Sequence, residues 1–221
     1  MSDVSLQVNT EKFENWSEQY LVATKRELEP FMQQQMKGIV RTIISITPPG
    51  SKGVTGSRAK ARGVTAVRAD AFRVVVGVPR SQAQTDDVSG VIARARDAKG
   101  RVKRKQNPLV RVPSAALTSY LKETTGKVGS LAGGWNAAAG KLGYKPPAWI
   151  WRHNSPGRID IDFTDKRLRI VARNRVRFAT GVSGLTRRVQ FAVDSQGEAL
   201  RSQTNAILVK QSQKAGLKNS K

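Results

Sequence analysis

The chain carries one histidine, His153, in the stretch KPPAWIWRHNSPG, and a run of aspartates soon after it, Asp160, Asp162 and Asp165. A histidine does general acid–base work when a carboxylate orients it and a nucleophile stands before it. There is no cysteine, and no serine sits in a nucleophile-elbow context. With one histidine and no thiol, a zinc site needs three or four carboxylates, an unusual set. His153 therefore reads as a structural, hydrogen-bonding residue. Asp160 and Asp162, alternating on a strand, point to one face and could hold Mg²⁺ for phosphodiester cleavage. The same alternation with isoleucine is the ordinary pattern of a half-buried hairpin among arginines. We expect no catalytic, cofactor-binding or metal-binding residue, and no cofactor.

Trp149 and Trp151 flank Ile150 after Pro146-Pro147. This spacing predicts an extended segment with both indoles on one side, covering a core or a neighbouring subunit. Base stacking is the competing use of such aromatics, but aromatics make up only 6% of the chain and do not interleave regularly with basic residues. Trp149, Trp151 and His153 are thus subunit-interface candidates. PPGSKGVTG (48–56) crowds glycines around a lysine, yet a phosphate-binding loop needs its Gly-Lys-Ser/Thr after a strand. Here Gly56 runs directly into Ser57, and a helix precedes, so the segment reads as a connector.

Charge is the strongest compositional signal: 39 Lys+Arg against 16 Asp+Glu give a net +23 over 221 residues. Such a balance implies an anionic partner, whether nucleic acid, an acidic protein surface or an anionic membrane. It is also uneven. Asp3, Glu11, Glu14, Glu18, Glu27 and Glu29 face only Lys12, Lys25 and Arg26, so residues 1–30 carry −3 and the rest +26. An acidic arm on a basic body suits a head-to-tail arrangement between copies. The densest basic stretch holds Arg94, Arg96, Lys99, Arg101, Lys103, Arg104 and Lys105 against Asp97. It reads either as a solvated loop or as an arm for an anionic partner, ordered on binding. No apolar run approaches the roughly 18–20 residues of a membrane span, and no secretory leader is seen. A soluble protein made in the cytoplasm, without membrane contact, is expected.

The elements that must position these residues follow from periodicity. Phe13, Trp16 and Tyr20 recur at helical spacing, as do Met32, Met36, Ile39 and Ile43. Residues 9–47 are therefore one helix kinked at Pro30 or two helices, ended by Pro48-Pro49. The second half packs on a core, while Phe13, Trp16 and Tyr20 are candidates for docking on a neighbour. Residues 57–72 look helical with Gly63 a weak point, and 73–78 form a strand. Residues 80–107 read as a polar then basic loop. From Pro113 to Gly143 helical spacing continues, broken near Gly126–Gly129, with Trp135 a core anchor. RIDIDF alternates cleanly, and RLRIVARN returns as its partner strand with Leu168 and Ile170 inward. A last helix carries Leu185, Val189, Val193, Leu200 and Ile207 as its stripe, before a basic tail from 210. The fold class is α+β: several helices, with long ones at each end, packed on a small antiparallel sheet with an extended basic loop. Residues 1–47 form an N-terminal helical arm, 48–185 a core with the basic loop at about 80–107, and 186–221 a C-terminal helix and tail.

TPPGSKGVTGSRAKARG (47–63), AAL-x-x-YLK (115–122), VGSLAGGWNAAAGKLG (128–143) and PPAWIWRH (146–153) occur in one order. In that order they resemble a family of tailed-bacteriophage virion-morphogenesis proteins, minor structural proteins of the neck, head–tail joining and tail-completion type. The resemblance covers about residues 40–175 and leaves out the acidic N-terminal helix and the basic tail. It implies a small, non-enzymatic α+β protein assembling as a ring of about six or twelve copies at the portal–tail junction. Portal, adaptor or tail proteins are then its partners, with DNA passing nearby and its contact unassigned. It is built into the virion after assembly in the host cytoplasm. Pro48, Pro49, Gly50, Gly53, Gly56, Val128, Gly129, Trp135, Pro147, Trp149 and His153 carry over as residues of fold and subunit contact. By charge alone, the alternative is a nucleoid- or ribosome-associated nucleic-acid binder; the aspartates alone suggest a Mg-dependent nuclease.

Overall fold

The computed structural model describes residues 11–97, 102, 107–164, 167–177 and 184–214. Its elements in chain order are α1 (Glu11–Ile46), α2 (Gly56–Phe72), β1 (Val75–Val78), a 3-10 turn (Arg80–Gln82), α3 (Val88–Arg94), β2 (Val110–Pro113) and α4 (Ser114–Gly126). There follow α5 (Ser130–Gly133), α6 (Asn136–Lys141), α7 (Ala148–Trp151), β3 (Gly157–Thr164), β4 (Arg167–Asn174) and α8 (Leu185–Lys214). The fold is α+β, with two small two-stranded sheets.

The larger core cluster gathers the last turns of α1 against the α5–α6 segment. Val40, Ile43, Ile44 and Ile46 pack with Ala132, Trp135, Ala138, Ala139 and Leu142, joined by Ile150 and Ala192. Met36 and Ile39 lie at its edge, so the second apolar stripe of α1 is a core stripe. The β3–β4 hairpin leans on this cluster through Ile159, Ile161 and Ala172. Its antiparallel register sets Ile161 opposite Ile170 and Phe163 opposite Leu168. One alternation therefore puts all these apolar side chains on the same face. Trp135 is buried as expected, 7% exposed.

A second cluster is built around β1 and β2, which pair in parallel with Val75 opposite Val110. This pair was not anticipated beyond β1, because four residues are too few to show alternation. The polar run before Arg94 is not a loop throughout. Asp87 caps α3 by accepting from Gly90 N at 2.7 Å, and Val88, Val91 and Ile92 are buried beneath β1 and α4. A seven-residue helix has no stability alone; each buried aliphatic side chain contributes about 1.5–3 kcal/mol, and that burial holds it.

α1 continues through Pro30 as one helix, and α8 runs back along it. The antiparallel register is marked by Lys210 Nζ on Glu27 Oε1 at 3.0 Å and by Gln196 over Gly38. The expected α8 stripe is corrected by this partner. Ala192 and Gln211 are buried, whereas Val193 and Leu200 are 42% and 38% exposed. A helix with a single helical neighbour buries only a narrow seam, so residues on its flank stay in solvent.

Candidate functional site

The segments that carry chemistry or motif residues converge where α1 ends. Beyond Ile46 the chain turns through Thr47, whose hydroxyl donates to the Ile43 carbonyl at 2.7 Å. Arg188 reaches across from α8, donating to the Ile46 carbonyl and to the Gly50 carbonyl at 2.8 Å. That guanidinium takes a carbonyl that the end of α1 leaves open and one from the loop beyond it. Gly63 is not a weak point of α2 but its contact point. A methyl there would come within 2.7 Å of Val128 Cγ1 and 2.8 Å of Pro49 Cγ.

Further close approaches and hydrogen bonds lock the 128–136 segment to the tryptophan–histidine segment. Gly129 holds φ +102°, and a side chain on it would meet the Trp149 ring at 2.7 Å. Gly133 lies under His153, with 2.8 Å from a would-be methyl to His153 Cβ. Asn136 Nδ2 donates to the Ile150 and His153 carbonyls, both at 3.1 Å. His153 Nε2 lies 2.9 Å from the Val128 carbonyl. A carbonyl only accepts, so Nε2 carries the hydrogen. His153 thus spends its ring donor on backbone. Asn174 Nδ2 donates to the Leu131 carbonyl at 2.8 Å, tying β4 to the same segment.

The tryptophans are not on an extended strand. Pro147 precedes a single helical turn, α7, a position where its fixed φ suits helix entry. Helical spacing sets residues two apart at roughly 200° around the axis, so the indoles point to opposite sides. Trp149 is half-buried on Gly129, while Trp151 is 42% exposed beside Gly140. Of the other interface candidates, Tyr20 is half-buried, four residues before Thr24, which is 7% exposed. The antiparallel register places Thr24 opposite Gln211. The side chains of Phe13 and Trp16 lie outside the described residues.

Between the Pro48–Gly50 loop, α2 and the turn after α4 opens a groove of about 660 Å³. Pro49, Val67, Val128 and Leu131 line it, with Arg62, Arg96, Lys127 and Arg188 as its charged residues. Sequence reading does not single out Arg62, Lys127 or Arg188; they come from α2, the turn after α4, and α8, with no shared spacing. Of the basic run, Arg94 lies 4.0 Å from Asp87 and Arg96 lies 3.9 Å from Asp70. Arg96 also bridges to Val102 through backbone. Lys99, Arg101, Lys103, Arg104 and Lys105 lie outside the described residues.

Asp160 and Asp162 sit on the outward face of the hairpin. Arg158 Nε donates to Asp160 at 2.6 Å and Arg173 donates to its other oxygen. These bonds, that from Arg158 foremost, hold the Asp160 carboxyl below the usual carboxylate range. Asp162 stands opposite Arg169 in the register. The two guanidiniums thus occupy the Asp160 oxygens that a divalent cation would take. Among the described residues, no three His, Asp or Glu side chains are grouped to hold a metal ion. Nor is any helix among them long and apolar enough to cross a membrane.

The geometry is that of a packing junction opening onto a cationic groove. Neither family models, nor curated proteins, nor solved structures give a match to the chain.

Proposed function

We propose that this chain is a structural component of a tailed-bacteriophage virion, a neck or tail-completion protein assembling in several copies at the head–tail junction. The observation that carries this reading is the convergence of the resembling segments. The TPPG loop is far in sequence from the VGSLAGGW segment and PPAWIWRH, yet all three meet through Gly63, Gly129, Gly133 and Asn136. Pro49, Val128, Trp149 and His153 serve there as packing and backbone partners within the chain, which supports the fold part of the role that the resemblance implies; their part in subunit contact is proposed with it. The reading is non-enzymatic. Portal, adaptor or tail proteins are its partners, and it reaches the virion after assembly in the host cytoplasm.

Under this reading the basic loop at 94–105 grips partner proteins in preference to DNA, since tight phosphate binding would impede DNA passage. Charge reversal at Arg101, Lys103 and Arg104 should then disrupt assembly. If it spared assembly and abolished DNA binding instead, that assignment would be lost.

A nucleic-acid binder is the second reading, supported by the net charge of +23 and by Arg158, Arg169 and Arg173 on the outward face of the hairpin. Mass spectrometry of nuclease-treated, density-purified particles separates the two. A fixed ratio to the major capsid protein, about six or twelve copies per particle, is the expected result. Absence from particles, with salt-sensitive DNA binding by the isolated chain, would transfer the assignment to the binder.

A further inference from the structure

We infer that the groove beside Pro49 receives the N-terminal part of α1 from a second copy of this chain, so that copies join head to tail. The inference rests on the multi-copy reading above and names the surfaces that would carry it.

The groove is apolar at its floor and cationic at its rim. Among the described residues no carboxylate lines it, whereas Arg62, Arg96, Lys127 and Arg188 all do. Arg188 is engaged by backbone carbonyls, Lys127 meets Glu123 at 2.6 Å, and Arg96 meets Asp70 at 3.9 Å. Arg62 bonds to the uncharged Ser51 hydroxyl. Among the described residues that line the groove, four are cations and none is an acid, so the rim is positive. Its complement is a segment that is apolar and acidic together.

The start of α1 is such a segment. Residues 11–24 hold Glu11, Glu14 and Glu18 against Lys12. Leu21 and Val22 are 63% and 60% exposed there, more than any other large apolar side chain of the described surface. Apolar exposure of that degree on an acidic helix matches an apolar, cation-rimmed groove in both respects.

Geometry excludes the groove of the same molecule. α1 is continuous from Glu11 to Ile46, and the groove is built around the loop just past Ile46. Twenty-five residues of helix separate Leu21 from Ile46, about 38 Å at 1.5 Å per residue. The two complementary surfaces thus lie toward opposite ends of one continuous helix. The contact is heterologous, and copies joined this way close into a ring or extend as a filament. Its charged part weakens with salt.

The test is the oligomeric state of the full chain by sedimentation velocity, at low and high salt. Two variants accompany it, Leu21→Asp with Val22→Asp, and Arg62→Glu with Lys127→Glu; all four positions are exposed, and circular dichroism checks that each variant folds. The wild type should form salt-sensitive oligomers, and each variant alone should be monomeric. An equimolar mixture of the two should give dimers and nothing larger, because only one intact knob–groove pair survives per couple. A monomeric wild type would overturn the multi-copy reading and this interface together. Oligomers persisting in both variants would leave the multi-copy reading standing and overturn this interface. A mixture that stays monomeric would also overturn it, pointing to an acidic segment of another protein or a nucleic-acid phosphate as the occupant.

Discussion

His153 donates its Nε2 hydrogen to the Val128 carbonyl at 2.9 Å, so the single histidine of the chain ties the segment after α7 to the turn after α4. His153→Ala leaves that carbonyl, in a half-buried contact, without its donor. Unfolding in denaturant should show a loss of about 1–2 kcal/mol. His153→Gln keeps a side-chain donor and should recover part of it. Equal stability of all three proteins would remove the structural role.

The glycines of this junction should separate sharply from glycines elsewhere. At Gly129 a methyl meets both a left-handed φ of +102° and the Trp149 ring, so Gly129→Ala should cost about 3 kcal/mol or more. Gly197, inside α8, has nothing within 4 Å of a would-be methyl. There Gly197→Ala should add about 0.5–1 kcal/mol through helix propensity. Opposite signs in thermal unfolding are the expected outcome; a neutral Gly129→Ala contradicts the close approach.

Acid should reveal the Arg158–Asp160–Arg173 contact. The Asp160 carboxyl is held below its ordinary value of 3.8, chiefly by the Arg158 bond. A depressed folded value means that its contribution is fully present above 3.8 and is lost as pH falls from there through the folded value. Asp160→Asn should therefore be less stable than wild type near neutrality, with the difference shrinking below pH 3.8. Glu27, lowered from 4.5 chiefly by its bond to Lys210, should behave alike in Glu27→Gln. A pH-independent difference between mutant and parent would argue against the ion pairs.

The α1–α8 seam contains a buried polar atom that can be removed. Thr24 is 7% exposed, and its hydroxyl has no hydrogen-bond partner among the described residues. Thr24→Val keeps the shape and deletes the orphan group, and should stabilise by about 1 kcal/mol. Destabilisation of that size would mean that the hydroxyl finds a partner in solution.

Legibility in the sequence followed the length of the pattern. The β3–β4 hairpin was readable from Ile159, Ile161 and Phe163 because alternation over a whole strand admits one face. Ile39 and Ile43 announced the buried end of α1 in the same way. α3 and β2 are not readable, since seven and four residues carry no period and owe their form to tertiary partners, α3 to β1 and α4, β2 to β1. α7 was misread as extended: in a four-residue stretch, Trp149 and Trp151 fit a strand as well as a turn of helix. The α8 stripe was placed slightly off the seam, because Val193 and Leu200 are as apolar as the residues that α1 covers.

By itself, the sequence determined the α+β class, the long helices at each end, the hairpin and its inward-facing residues, the acidic start on a basic body, and Trp135 as a core anchor. These are properties of composition and of periods long enough to choose a face. Tertiary structure alone decided that His153 serves the Val128 carbonyl and that Gly63, Gly129 and Gly133 are contact points. It also decided that Arg62, Arg96, Lys127 and Arg188 share one groove. Those relations join residues from different helices and loops, and no local spacing encodes which backbones will approach closely enough to exclude a methyl group.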